Sequence, residues 1–93
     1  MDFEWDPLKA EANLRKHRIT FEFATGVFLD PNRLDQKDDR DYDGELREIA
    51  VGRIQEFILV VVYTMRGTTA RIISARRATR HEYFEYWNGQ VSA

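Results

Sequence analysis

Five arginines and no aspartate or glutamate lie between Met65 and His81. They are Arg66, Arg71, Arg76, Arg77 and Arg80. The segment has a charge of +5, whereas the whole chain has a formal net charge of −2 and the remainder sums to −7. Guanidinium groups bind phosphate through paired hydrogen bonds, and a concentrated positive patch gives sequence-independent affinity for nucleic acid. The segment therefore predicts an anionic partner. A second interpretation is a solvated surface that pairs with the acidic residues between 35 and 45.

Three of these arginines stand next to a predicted helix start. Thr79 and Glu82 have the spacing of a capping box, in which a threonine hydroxyl and a glutamate carboxylate each accept a hydrogen bond from a backbone amide. Arg76, Arg77 and Arg80 would then flank amide groups that already favour an anion. We therefore expect a phosphate site at this helix start.

The two histidines, His17 and His81, are candidate acid–base groups because the unperturbed imidazole pKa lies near neutrality. His81 lies within the arginine-rich segment and is a candidate proton donor. Neither histidine has the spacing to another ligand that a metal site needs. Residues 39–44 resemble the start of a calcium-binding loop, but the twelfth position, which needs a bidentate glutamate, is Ala50. We expect no metal and no other cofactor.

The composition is that of one ordinary globular domain. With 93 residues the chain can bury a single core, and we expect one domain over residues 1–93. Hydrophobic residues make up 43% of the chain and charged residues 32%, as in folded proteins. Cysteine is absent, which suits a reducing cytoplasm, and the longest apolar run, Phe57–Tyr63, is too short for a membrane span. We expect a cytoplasmic protein without membrane contact.

Local signals predict an α+β fold. Asp6-Pro7 indicates a helix that begins at Pro7, and Thr20 can cap a second helix that ends before Asp30-Pro31. Three strand-like runs follow, separated by turns at residues 52–56 and 65–68, which indicates a small antiparallel meander. The runs are Leu46–Arg53, Phe57–Thr64 and Thr69–Arg76. Phe57–Thr64 is apolar on both sides, which is typical of a covered central strand.

One or two short edge strands and a last helix complete the predicted fold. The edge strands are expected near Phe3–Trp5 and Asn32–Leu34, and the C-terminal helix should end at Asn88-Gly89. Alternation of side chains along the strands places Glu48 and Arg76 on the same exposed face of the sheet.

An ordered set of short motifs extends from residue 3 to about residue 86. The motifs are Phe3-Glu4-Trp5-Asp6-Pro7, Lys9-Ala10, Asn13, Lys16-His17, Phe21, Ala24, Phe28-Leu29-Asp30-Pro31, Arg47-Glu48, Gly52, Val61-Val62-Tyr63-Thr64, Arg66-Gly67 and Arg71-Ile72-Ile73-Ser74-Ala75-Arg76-Arg77-Ala78. The set resembles BrnT, the toxin of the BrnT/BrnA type II toxin–antitoxin pair.

This resemblance implies a RelE-like ribonuclease fold and metal-independent RNA cleavage that stops translation. It also implies neutralisation by a BrnA antitoxin, which binds the operator, so that DNA is contacted only through the antitoxin complex. The catalytic residues would be Glu48, Arg66, Arg76 and Arg77. The residues that contact RNA phosphates would be Arg47, Arg71, Arg80 and His81. Family members commonly have glycine where this chain has Arg18, so the first helix could end differently here.

Cleavage without a metal is simplest when a ribose 2′-hydroxyl attacks the adjacent phosphate, leaving a cyclic phosphate and a 5′-hydroxyl. Arg66, Arg76 and Arg77 would stabilise the charge that develops on the phosphate oxygens. Glu48 would accept the 2′-hydroxyl proton, and the proton donor is open between His81 and an arginine. The alternative function is a module that binds nucleic acid or antitoxin through the same arginines without cleavage.

Overall fold

The computed structural model of the chain describes residues 1–38 and 45–91. Its elements are strand β1 (Asp2–Glu4), helix α1 (Pro7–His17), helix α2 (Phe21–Ala24), a 3₁₀ helix (Thr25–Leu29), strands β2 (Leu34–Asp38), β3 (Arg47–Ile54), β4 (Phe57–Arg66) and β5 (Thr69–Arg77), and helix α3 (Arg80–Val91). The predicted α+β fold is confirmed. The acidic turn with the calcium-like motif, residues 39–44, lies outside the described residues.

Five strands form one sheet in the order β1-β5-β4-β3-β2. The predicted meander of β3, β4 and β5 is confirmed, and β2 adds antiparallel to β3. β1 instead runs parallel to β5, where Asp2 lies opposite Thr69 and Glu4 opposite Arg71. The sheet is therefore mixed rather than purely antiparallel. Because β1 has only three residues, it covers only the first part of the β5 edge.

Both ends of α1 are fixed by local signals in the sequence. The Asp6 side chain accepts a hydrogen bond from the backbone N–H of Leu8 at 2.8 Å, and Pro7 occupies the first helical turn. The last turn carries cations, which favour the negative end of the helix. The helix ends at His17, and Arg18 follows with a left-handed backbone at φ 61°.

Helices cover both faces of the sheet. Leu59 and Val61 of β4 pack with Phe21 and Val27, which come from α2 and the 3₁₀ helix. Ile58 and Val60 point to the opposite face and pack with Tyr86 of α3. The prediction of a central strand covered on both sides is confirmed, and the fold has three layers with β4 in the middle.

A register shift in β5 overturns the predicted placement of Glu48 and Arg76 on one face. Glu48 lies opposite Tyr63, and Tyr63 lies opposite Ile72 on the face covered by α1 and α2. The shift occurs between Val62 and Tyr63, and beyond it Arg76 lies opposite Val60, under α3. One extra residue in a strand reverses the side-chain alternation after it, so Glu48 and Arg76 lie on opposite faces.

A buried carboxylate, Asp30, connects three parts of the chain. It accepts hydrogen bonds from the Tyr86 hydroxyl at 2.6 Å, from the Arg53 backbone N–H at 2.8 Å and from the Asn32 backbone N–H at 2.8 Å. Burial alone would raise the pKa of Asp30, but these hydrogen bonds outweigh it and lower the pKa. Asp30 thereby joins the end of the 3₁₀ helix to β3 and to the middle of α3.

The Asn13 side chain completes the edge of β5 beyond the reach of β1. Its Nδ2 donates to the carbonyl of Ala75 at 2.8 Å, and its Oδ1 accepts from the N–H of Ala75 at 3.1 Å. Nδ2 also donates to the carbonyl of Ile19 at 3.1 Å, which holds the turn after α1. The amide thus replaces a strand neighbour and fixes the end of α1 against the end of β5.

Replacing Asn13 with alanine is expected to destabilise the fold by about 2–3 kcal/mol, because the buried N–H and C=O of Ala75 lose their partners. Urea unfolding at pH 7 measures this change in the free energy of unfolding. The control is Asn88→Ala at an exposed position of α3, which should change that free energy by less than about 0.5 kcal/mol. An Asn13→Ala chain as stable as the parent would contradict the role of this amide.

Candidate active site

The arginines of the 66–80 segment do not form one cluster. Arg66 ends β4 at the hairpin tip, whereas Arg76 lies opposite Val60, six positions earlier on that strand. Because a strand rises about 3.3 Å per residue, Arg66 and Arg76 are about 20 Å apart along the sheet. Arg71 forms an ion pair with Glu4 of β1 at 2.5 Å. The segment therefore divides into a hairpin end and an end next to α3.

Glu48 and Arg47 lie toward the hairpin end of the sheet. The pKa of Tyr63, opposite Glu48, is raised to about 12 by burial, by the negative charges of Asp35 and Glu48, and by a hydrogen bond with Glu48. Arg47 begins β3 and lies opposite Asp38 of β2. Glu48 therefore stands in a polar group with Tyr63 and does not meet Arg76 or Arg77.

Arg76 makes a bidentate ion pair with Glu82 at the start of α3. Its Nη1 and Nη2 donate to the two carboxylate oxygens at 2.7 and 2.9 Å. Glu82 also accepts from the Thr79 backbone N–H at 2.8 Å, and its own N–H donates to the Thr79 hydroxyl at 3.2 Å, which confirms the predicted capping box. Arg76 therefore connects the end of β5 to α3, and removing its side chain would leave Glu82 without its ion pair.

Arg77 points to the other face and lines an open cavity. Its guanidinium lies 5.3 Å from the centre of the Phe57 ring, and its side chain is exposed. The cavity has a volume of about 310 Å³. Its lining consists of Arg18, Ile19, Thr20, Phe23, Phe57 and Arg77. Among the described residues, no carboxylate forms an ion pair with Arg18 or Arg77.

His17, the last residue of α1, directly precedes the cavity residue Arg18 in the chain and is close enough to Arg76 to feel its positive charge. Its pKa is lowered by burial first, and then by the positive charges of Lys16 and Arg76. The lowered pKa favours the uncharged imidazole, which is the form that can accept a proton. His81, by contrast, is exposed and lies 3.3 Å from Glu85 on the outer side of α3.

The family of the chain follows from a comparison with family models. The model described as the ribonuclease toxin BrnT of type II toxin–antitoxin systems matches residues 5–82. The chain belongs to the BrnT family. It is a ribonuclease toxin of a type II toxin–antitoxin system, and the matched range contains His17, Arg18, Arg76 and Arg77. No curated protein matches the chain.

Two residues of the cavity, Arg18 and Phe57, were not predicted as site residues. His17 was predicted only as a general acid–base candidate. Arg18 adopts the left-handed backbone that glycine adopts readily, so α1 ends in the way a glycine would end it. The glycine that BrnT family members commonly have at the position of Arg18 could have indicated this left-handed conformation. That Arg18 would face Arg77 depends on the packing of α1 against β5.

The described residues also bear on a metal site, on the position of Arg80 and on a membrane span. Within residues 1–38 and 45–91, no three His, Cys, Asp or Glu side chains are grouped as metal ligands. Arg80 of α3 is exposed, and its guanidinium lies 5.8 Å from the centre of the Phe84 ring rather than at the cavity. No described helix combines the length and the apolar character that a membrane crossing requires.

Glu82 is expected to make the stability of the fold sensitive to acid. Hydrogen bonds from Arg76 lower its pKa from 4.5 to about 2, against the opposing effect of burial. A carboxylate with a lowered pKa stabilises the fold above its ordinary pKa, and the contribution is lost as the pH falls toward 2. We expect Glu82→Gln to unfold about 1–2 kcal/mol more easily than the parent at pH 7, with a smaller difference at about pH 3.

Urea unfolding at both pH values measures this difference. Glu85→Gln, which removes an exposed carboxylate from the same helix, is the control and should change the free energy of unfolding little at either pH. A difference between Glu82→Gln and the parent that does not depend on pH would contradict the role given to the ion pair.

Proposed function

We propose that this BrnT chain is an endoribonuclease that cleaves RNA without a metal ion, at the cavity between the ends of α1 and β5. One observation carries this location: the exposed Arg77 guanidinium, with no ion pair to a described carboxylate, lines a cavity together with Arg18, the residue that directly follows His17 in the chain. A free guanidinium can stabilise a phosphate, and an uncharged imidazole can accept a proton.

The proposed reaction is an internal transfer at phosphorus. The ribose 2′-oxygen attacks the adjacent phosphorus atom while its proton passes to the unprotonated ring nitrogen of His17. The bond between phosphorus and the 5′-oxygen breaks, and that oxygen takes a proton from water. The products are a 2′,3′-cyclic phosphate and a 5′-hydroxyl, and DNA is not cleaved because it lacks the attacking hydroxyl. Arg77 stabilises the charge that builds on the phosphate oxygens in the transition state.

The remaining predicted residues take other roles in this proposal. Arg76 is a positioning residue, because its guanidinium is held by Glu82 and also donates to the backbone carbonyl of Arg77 at 3.2 Å. Glu48 and Arg66 lie toward the hairpin end and are not part of the proposed site. His17 replaces Glu48 as the proton acceptor.

We further propose that cleavage stops translation in the cytoplasm and that a BrnA-type antitoxin neutralises the chain. Membership of a type II toxin family supports both an RNA substrate and a protein antitoxin. Contact with DNA would occur only through the antitoxin complex. Because the sequence outside residues 65–81 sums to −7, this chain alone offers little attraction to duplex DNA away from that segment.

The purified chain is expected to cleave single-stranded RNA in EDTA, and to leave the matching DNA intact. Arg77→Ala should slow cleavage by about 10²–10³-fold, the usual effect of removing one group that stabilises transition-state charge. Gel analysis of the products should show cyclic phosphate ends. Arg66→Ala is the matched control, because it removes the same side chain from the hairpin end, and it should cleave at the parental rate.

Two results would contradict this proposal in different ways. Loss of cleavage in Arg66→Ala or Glu48→Gln, with Arg77→Ala active, would move the site to the hairpin end. Salt-dependent RNA binding by the parent without any product would identify the binding module instead.

The cleavage rate should fall as the pH is lowered through the pKa of His17, which lies below 6.5. Only the uncharged imidazole accepts a proton, so protonation removes the base. His17→Gln should cleave about 10²-fold more slowly and should lack this acid limb. The pH dependence of single-turnover rates measures both effects. His81→Gln, at the exposed histidine, is the control and should keep both the parental rate and its fall at low pH. If the rate of His17→Gln fell at low pH as the parental rate does, His17 would be excluded as the base.

A further inference from the structure

We infer that the cavity binds one unpaired nucleotide of the RNA, with its phosphate between Arg18 and Arg77 and its base against Phe57. This inference rests on the proposed function and names its substrate class, which is single-stranded RNA. It also assigns Arg18 as a residue that determines affinity and specificity for that substrate.

Arg18 is held in place by the end of α1. Its backbone N–H donates to the carbonyl of Leu14 at 2.9 Å, and its φ angle is 61°. The left-handed conformation is unfavourable for a residue with a long side chain and is usually taken by glycine. The helix end therefore fixes the start of the Arg18 side chain at the rim of the cavity, while the rest of the side chain is exposed and lines it.

The cavity brings two positive charges together without a described carboxylate between them. Arg18 and Arg77 approach it from α1 and from β5, and neither forms an ion pair among the described residues. Like charges that face one cavity repel each other until an anion lies between them. A phosphodiester group fits because each guanidinium can donate two parallel hydrogen bonds to its oxygens.

The walls of the cavity suit a nucleobase. Phe57 and Phe23 are half-buried, and their rings meet edge to face with centres 6.1 Å apart. Arg77 lies over the Phe57 ring, and single-strand binding proteins combine base stacking on aromatic side chains with cation–π contacts from arginine. The exposed Thr20 hydroxyl accepts from the Phe23 N–H at 3.1 Å and keeps its proton free to donate to a base edge.

Paired RNA cannot use this arrangement. A base reaches the Phe57 ring only after it has left its helical stack, and proteins that read RNA bases act mostly on unpaired nucleotides. An acidic peptide could satisfy the two guanidinium groups but would leave the aromatic wall without a planar partner. The combination of paired charge and ring surface therefore favours single-stranded RNA over an acidic protein segment.

The test compares binding of a 2′-O-methyl oligonucleotide, which cannot be cleaved, with binding of the same oligonucleotide in duplex form. The parent should bind the single strand at least about tenfold more tightly than the duplex, since stacking of one base is worth about that factor or more. Arg18→Gly should lower single-strand affinity about tenfold and reduce the preference. Its thermal stability should equal or exceed that of the parent, because glycine accepts the left-handed backbone.

Arg15→Ala is the matched control, since it removes an exposed arginine from the same helix, and its affinity should stay within about twofold of the parent. Phe57→Leu should lower single-strand affinity while leaving the charge unchanged. Parental affinity in Arg18→Gly, equal binding of duplex and single strand, or equally strong binding of a polyglutamate peptide would each overturn the inference. Failure of the proposed function is a separate result, because the parent would then bind the modified strand but not cleave ordinary RNA.

Discussion

The Asn13 amide is the contact on which the geometry of the site depends. It supplies the edge of β5 with one donor and one acceptor, and it holds the carbonyl of Ile19 in the turn after α1. Buried backbone groups without partners are costly, so the end of α1 has one favourable position against β5. His17 and Arg18 follow this amide by one helical turn, and Arg76 and Arg77 follow its partner Ala75 directly. One side chain therefore brings two distant basic segments together.

Helix α3 is attached by polar contacts as well as by the burial of Tyr86. Tyr83 is 43% exposed and Phe84 50% exposed, so much of its aromatic surface does not pack on the sheet. The bidentate pair of Arg76 and Glu82 fixes its first turn, and Asp30 holds the hydroxyl of Tyr86 further along. Both carboxylates have lowered pKa values, so both attachments weaken in the same direction as the pH falls.

Local signals in the sequence predicted the elements of the fold, because each depends on a few neighbouring residues. Asp6-Pro7, the Thr79 capping box and the apolar run in β4 all have the predicted structural roles. Gly52 was predicted both at the end of the strand run Leu46–Arg53 and at the start of the turn 52–56, and it lies within β3. A Cβ atom there would lie 2.7 Å from Val27 Cγ1, so the glycine allows the 3₁₀ helix to approach the strand.

The composition of the site was harder to predict than the fold. The arginines are close together in the sequence, so they were predicted as one patch. In the fold, β4 and β5 place Arg66 and Arg76 at opposite ends of the sheet. The register shift in β5 then places Arg76 under α3, away from Glu48. Nothing in the hydrophobic pattern predicted this shift: Ile72, Ser74 and Arg76 are evenly spaced in the sequence, yet Ile72 lies on one face of the sheet and Ser74 and Arg76 lie on the other. That Arg18 and Arg77 line one cavity depends on the long-range Asn13 contact, which no local pattern encodes.

The pairing of β1 with β5 determines when the fold can form during synthesis of the chain. Synthesis on the ribosome proceeds from the N-terminus, yet Asp2 lies opposite Thr69 and Asn13 binds Ala75. The N-terminal segment therefore waits for its partners until residues 69–75 have emerged. The cavity between Arg18 and Arg77 cannot exist on a shorter nascent chain. A ribosome engaged in making this protein is thus not exposed to a formed cavity until residue 77 has left the exit tunnel.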